Sequence, residues 1–236
     1  SKYHFNSFFE GLELFLRLFP DYKGVNNIKR IKEKSQVLHL GMNLKKLDTY
    51  QNIKKTNKKP LLIWNHRWDH DKNPTQFFNV LKIISKKGIK FNIAVLGQEY
   101  NNELPIFSEA KNILKDHIIH FGYIKSHREY INMLWNADIL PVTSNQDFFG
   151  CSIIEAVHCH TIPLLPKRLA YPEIFNLNSN PDCFYNDEGE LIQKLISIIK
   201  NQSLKTKYNF DLDKYDWSNM SEIYDEVFIK CINYGS

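Results

Sequence analysis

The sequence predicts an α/β fold in which a doubly wound parallel sheet is covered by helices on both faces. Three observations lead there. From Pro60 onward, short apolar runs alternate with amphipathic runs of helical period. The connections are short and carry the glycine, proline and asparagine that stop one element and start the next. Each apolar run is followed by a helix, which is what right-handed crossovers between parallel neighbours require.

In order, "PLLIWNH" (60–66) reads as the first strand and "NPTQFFNVLKIISKKG" (73–88) as a helix closed by glycine. "FNIAVLG" (91–97) and "IFSEAKNILKDH" (106–117) repeat the pair. So do "IIHFGYI" (118–124) with "SHREYINMLWNA" (126–137), and "DILPVT" (138–143) with "CSIIEAVHC" (151–159). "TIPLLP" (161–166) is the fifth strand. After Cys183 come a weak strand, the helix "DEGELIQKLISIIKN" and a last amphipathic helix over about 217–232. Residues 1–36 break the pattern, with two helical stretches around "FPDYKG". "QVLHLGM" (36–42) reads as a strand entering the main unit.

The 236 residues suit one good-sized domain, or a domain with a fragment of another. Apolar residues at 43% are enough for a packed core, and no uncharged apolar run approaches the ~20 residues of a membrane span. The apolar N-terminal stretch carries Glu10, Glu13 and Arg17, unlike a secretory signal, so a cytoplasmic location is expected. Cys151, Cys159, Cys183 and Cys231 show no paired spacing and are expected to be reduced thiols. A net charge of +5 fits a phosphate-bearing ligand but falls short of a nucleic-acid-binding composition.

In a doubly wound sheet, ligands sit beyond the carboxyl ends of the strands. The chemistry should therefore lie in "NHRWDHDKNP", "GQEYNNELP", "GYIKSH", "SNQDFFG" and "KRLAYPE". The first of these loops places Arg67 and Lys72 between a strand and a helix start, where guanidinium, ammonium and helix dipole together suit a diphosphate. In the fourth, Gly150 lets the amides of Cys151 and Ser152 point at an anion. Asp147 and Glu155 flank that turn and could face one volume, each accepting from the hydroxyls of a sugar diol.

Arg67-x4-Lys72 and Asp147-x7-Glu155 resemble the R-x4-K and E-x7-E signatures in the donor-binding domain of family 4 retaining GT-B glycosyltransferases. Aspartate replaces the first glutamate, one methylene shorter. The segments "WNHRWDHDKNP", "AVLGQEY", "FGYI", "DFFG", "IIEAVHC" and "PLLPK" with "YPEIF" resemble the tRNA-queuosine α-mannosyltransferase family over almost the whole chain. His160 departs from the small residue common in the wider family.

The resemblance implies a Rossmann-like C-terminal half of a GT-B enzyme over 37–236, with 1–36 as the tail end of the acceptor lobe. It implies GDP-mannose as donor, queuosine-containing tRNA as acceptor, and no metal or other cofactor. Arg67 and Lys72 would hold the diphosphate, and Glu155 the ribose. Asp147, with the backbone of Phe149 and Gly150, would orient the sugar. Gly122 and Tyr123 would lie near the guanine, and Gly97 would leave room for the nucleotide. The chain alone is then expected to bind donor without transferring mannose.

Other readings compete. "DHD" (69–71), with His66 and His70, resembles a D-x-D metal motif, but the R-x4-K frame around it favours metal-free diphosphate binding. A different donor or acceptor within family 4, or a non-catalytic nucleotide- or tRNA-binding module, would fit the same loops. "KKTNKK" and "ISKKGIK" read as solvated surface rather than as an RNA site.

Overall fold

The computed structural model describes residues 1–21, 24–51, 58–97, 104–201, 208 and 210–233. Six parallel strands form one sheet in the order β3-β2-β1-β4-β5-β6. They are β1 (Leu61–Asn65), β2 (Asn92–Leu96), β3 (Ile118–Gly122), β4 (Ile139–Pro141), β5 (Ile162–Pro166) and β6 (Phe184–Tyr185). The chain winds outward from β1 to β3, then returns to β4 beside β1 and winds the other way. The switch point between β1 and β4 opens the crevice where such folds bind ligands.

β1 is central. Leu61 to Asn65 pair in register with Asn92 to Leu96, and Leu62 pairs with Ile139 on the other side. Its side chains alternate between two cores, as the pleat requires. Leu61 and Ile63 join a core with α5 (His127–Asn136), α6 (Cys151–His158) and α7 (Tyr171–Ile174). Leu62 and Trp64 join the opposite core with α3 (Pro74–Lys86), α4 (Pro105–Ile113) and α8 (Glu188–Lys200). Both faces are covered, which explains why the strands read as unbroken apolar runs.

The helix starts follow their sequence signals. Asn73 adopts φ 52° and its side chain accepts from the Gln76 amide, with Pro74 as the first helical residue of α3. Ser126 caps α5 through the Glu129 amide, and Asp187 caps α8 through the Glu190 amide. Gly150 enters α6 at φ 84°.

One expectation is corrected. Residues 36–42 form no strand, and Met42 makes only an isolated parallel bridge to Asp216. The Met42 amide donates to the Tyr215 carbonyl, and its own carbonyl accepts from the Trp217 amide. The apolar segment is thus extended against the start of α9 (Trp217–Asn233), because both edges of the sheet lie at β3 and β6.

The two N-terminal helices appear as expected, α1 (Lys2–Arg17) and α2 (Asn27–Glu33). The Glu173 carboxylate accepts the Lys2 and Tyr3 amides at the start of α1. Along α1, Phe8, Leu14 and Phe15 stay exposed, as do Phe228, Ile229 and Ile232 along α9.

Candidate nucleotide-sugar site

At the carboxyl ends of β1 and β2, and at the start of α6, lies a cavity of about 570 Å³. Arg67, Lys72, Gly97, Tyr123, Asp147, Gly150, Cys151 and Ser152 line it, together with Asn65, His66 and Tyr130. A second cavity of about 550 Å³ shares Arg67, Lys72, Asp147, Gly150 and Cys151, and reaches Phe148 and Phe149 on the other side.

Tertiary hydrogen bonds lock the first loop to the fourth. The Thr143 hydroxyl, fully buried, donates to the Lys72 and Asn73 carbonyls. The Asp71 carbonyl accepts the Asn145 and Gln146 amides. Arg168 in the fifth loop braces the same turn, donating to the Thr143 and Ser144 carbonyls.

Lys72 is tightly held, whereas Arg67 is mostly solvated. The Lys72 side chain is 11% exposed; its Nζ donates to the Gln146 carbonyl at 2.8 Å and sits 3.1 Å from Asp71 and 3.5 Å from Asp147. The Arg67 side chain is 58% exposed and approaches Asp69 and Asp71 only at 3.8 and 3.6 Å. Cys151 and Ser152 open α6, where position leaves their amides without intrahelical acceptors. Cations and amides therefore converge on one cavity, an arrangement that can take two phosphates.

Asp147 accepts the Phe149 amide and the Tyr171 hydroxyl, and faces both cavities. Glu155 does not share that wall. Its Oε2 accepts the Tyr130 hydroxyl at 2.6 Å, and burial raises its pKa against the opposing pull of Tyr130 and His127. The side chain of Cys151 is half-buried, and burial together with Glu155 and Asp147 holds its thiol in the protonated form. Tyr123 is 63% exposed at the mouth, while Gly122, at φ 120°, has open space where a side chain would begin. Gly97 lies against the His66 carbonyl and the Trp68 ring. The rest of the second loop, 98–103, falls outside the described residues, as do residues 54–57 of "KKTNKK".

Sequence reasoning missed Asn65, Tyr130, Arg168 and Tyr171 as parts of the site, and treated His66 only as a metal-ligand candidate. Among the described residues, no group of three His, Cys, Asp or Glu side chains could hold a metal ion. No helix among them is long and apolar enough to cross a membrane. His66 is 5% exposed at the cavity floor, its Nε2 has no hydrogen-bond partner, and burial next to Lys72 lowers its pKa to about 3.

A folded-state pKa below the unfolded value means that the unfolded chain binds more protons below pH 6.5, so stability falls as pH falls. Between pH 7.5 and 5, His66 alone should cost about 2 kcal/mol. Urea unfolding at the two pH values checks this, and His66→Asn should lose that increment of acid sensitivity. An unchanged pH dependence in the variant would refute the assignment.

Residues 46–212 match the family described as glycosyl transferases group 1, and residues 1–42 match the N-terminal family of tRNA-queuosine alpha-mannosyltransferase. A tRNA-queuosine alpha-mannosyltransferase of Drosophila melanogaster is 28% identical over 98% of the chain, which spans 64% of that relative's length. Sucrose-phosphate synthase of Thermosynechococcus elongatus superposes with a TM-score of 0.65 at 15% identity, over 89% of this chain and 56% of that one. The C-terminal domain of a group 1 glycosyl transferase of Francisella tularensis superposes with a TM-score of 0.56 at 21% identity, over 77% of this chain and 97% of that one. The six-stranded parallel sheet is the Rossmann-like half of a GT-B fold. With the family match covering most of its length, the chain belongs to the group 1 glycosyl transferases.

Proposed function

We propose that this chain supplies the donor site of a retaining glycosyltransferase that moves mannose from GDP-mannose to the queuosine base of tRNA in the cytoplasm. The observation that carries the reading is the meeting of Arg67, Lys72 and the α6 amides in one cavity at the sheet's switch point. These groups would neutralise the diphosphate as it leaves, the electrostatic part of the catalysis. Asp147 and the backbone of Phe149 and Gly150 would orient the sugar beside it. The ribose would lie on the side of Glu155, and the guanine would lie by Gly122 and Tyr123.

Mannose and the tRNA acceptor come from the name of the Drosophila relative and from the matched N-terminal family. Residues 1–36 are assigned to the acceptor lobe and 37–236 to the donor domain. The exposed apolar faces of α1 and α9 support this division, since both would be covered by a neighbouring lobe. The two cations and the amides balance the phosphates, so no divalent cation is needed.

The test uses labelled GDP-mannose and tRNA with or without queuosine, comparing this chain with one extended by an N-terminal lobe. Both should bind GDP, with affinity intact in EDTA, and the longer one should label only the queuosine-containing tRNA. Labelling of tRNA that lacks queuosine would overturn the acceptor. Affinity lost on chelation and restored by manganese would overturn the metal-free donor site.

A further inference from the structure

From the cavity wall inward runs a chain of three polar side chains, Asn65, Tyr130 and Glu155, whose proton positions are fixed once Glu155 is ionised. The Asn65 amide nitrogen donates both hydrogens, to the Ser152 carbonyl at 2.8 Å and to the Tyr130 hydroxyl oxygen at 3.0 Å. The carbonyl can only accept, so the Asn65 amide cannot be turned over. Tyr130 therefore accepts from Asn65 and must send its own proton to Glu155 Oε2, 2.6 Å away. That distance suits a hydroxyl on a carboxylate.

We propose that the ribose of the donor is recognised by the Tyr130–Glu155 pair rather than by Glu155 alone, with Tyr130 as the residue that positions Glu155 and sets specificity. The proposal rests on the nucleotide-sugar reading of the cavity. Tyr130 and Asn65 line the cavity, and Glu155 reaches it through its hydrogen bond with Tyr130. With its proton committed, the Tyr130 oxygen has only acceptor capacity left, and so has the carboxylate. A pair that can only accept selects a partner that can donate. The vicinal hydroxyls of ribose do so, and a sugar lacking them does not. Burial works against ionised Glu155, and the Tyr130 hydroxyl opposes it, keeping the carboxylate an acceptor in a half-buried place.

The test is calorimetric titration with GDP and with 2′,3′-dideoxy-GDP, of the unchanged protein, Tyr130→Phe, Glu155→Gln and the double variant. The unchanged protein should prefer GDP by about tenfold or more, the scale of one hydrogen bond to a charged group. Tyr130→Phe should remove most of that preference while changing affinity for the dideoxy analogue less than about twofold. In the Glu155→Gln background it should change little, because coupled groups act as one unit.

Equal weakening for both ligands, or a preference that survives Tyr130→Phe but not Glu155→Gln, would overturn the role of Tyr130 and leave the donor site standing. If the unchanged protein shows no preference, ribose recognition at this pair is overturned. If it does not bind GDP, the donor site falls with it.

Discussion

Replacing Lys72 with alanine is expected to weaken nucleoside-diphosphate binding about a hundredfold or more, and replacing Arg67 about tenfold, although the two stand in one motif. By the ordinary scale for hydrogen bonds to charged groups, each deletion would cost about 1.5 to 3 kcal/mol. The structure separates them. Arg67 is mostly solvated, its ion pairs are longer than 3.5 Å, and its field is screened. Lys72 lies between the Asp71 and Asp147 carboxylates with little access to water, so its removal deletes an attraction and leaves two uncompensated acids facing the phosphates. Titration of both variants with GDP checks the order. A Lys72→Ala affinity within a factor of three of the unchanged protein would remove Lys72 from the diphosphate site. Lys72→Arg should recover only part of the loss, because a planar guanidinium is not equivalent to the compact ammonium that meets Asp71, Asp147 and the Gln146 carbonyl at once.

Much of this was legible in the sequence for local reasons. The alternation of strands and helices is a local pattern. So are Arg67 and Lys72 between a strand and a helix start, and Gly150 at the head of α6. Each follows from spacing within a few residues, and each lies where the spacing puts it. What was not legible depends on which side chains meet across the chain. Glu155 reads as a helix acid able to face the same space as Asp147, but its partner lies on α5 and its carboxylate sits behind the wall. Arg168 and Tyr171 come from the fifth loop to hold the fourth, and nothing near Thr143 or Asp147 announces them. The strand expected over 36–42 fails for a related reason. Apolar, β-prone residues make a strand only beside a free edge, and that segment meets Tyr215 and Trp217 instead.

Gly97 shows how a residue placed by a ligand argument can be required by packing first, and it gives the largest expected effect on stability. At φ 125° its backbone is in a region that side chains rarely adopt. A methyl group there would also run into the His66 carbonyl and come within 2.8 and 2.9 Å of the Trp68 ring. Neither can retreat. The His66 carbonyl accepts from the Trp64 indole at 3.0 Å, while Trp68 donates to the Leu96 carbonyl at 3.0 Å and stacks on Phe107 at 4.3 Å. Gly97→Ala should therefore cost about 3 to 5 kcal/mol, strain and overpacking together. Gly122 is the control, since it has φ 120° and nothing within 4 Å of an added methyl. Gly122→Ala should cost only the backbone part, about 1 to 2 kcal/mol. Urea unfolding of both variants separates crowding from strain. Equal losses at the two positions would mean that the backbone angle alone sets the cost, and that His66 and Trp68 do not press on Gly97.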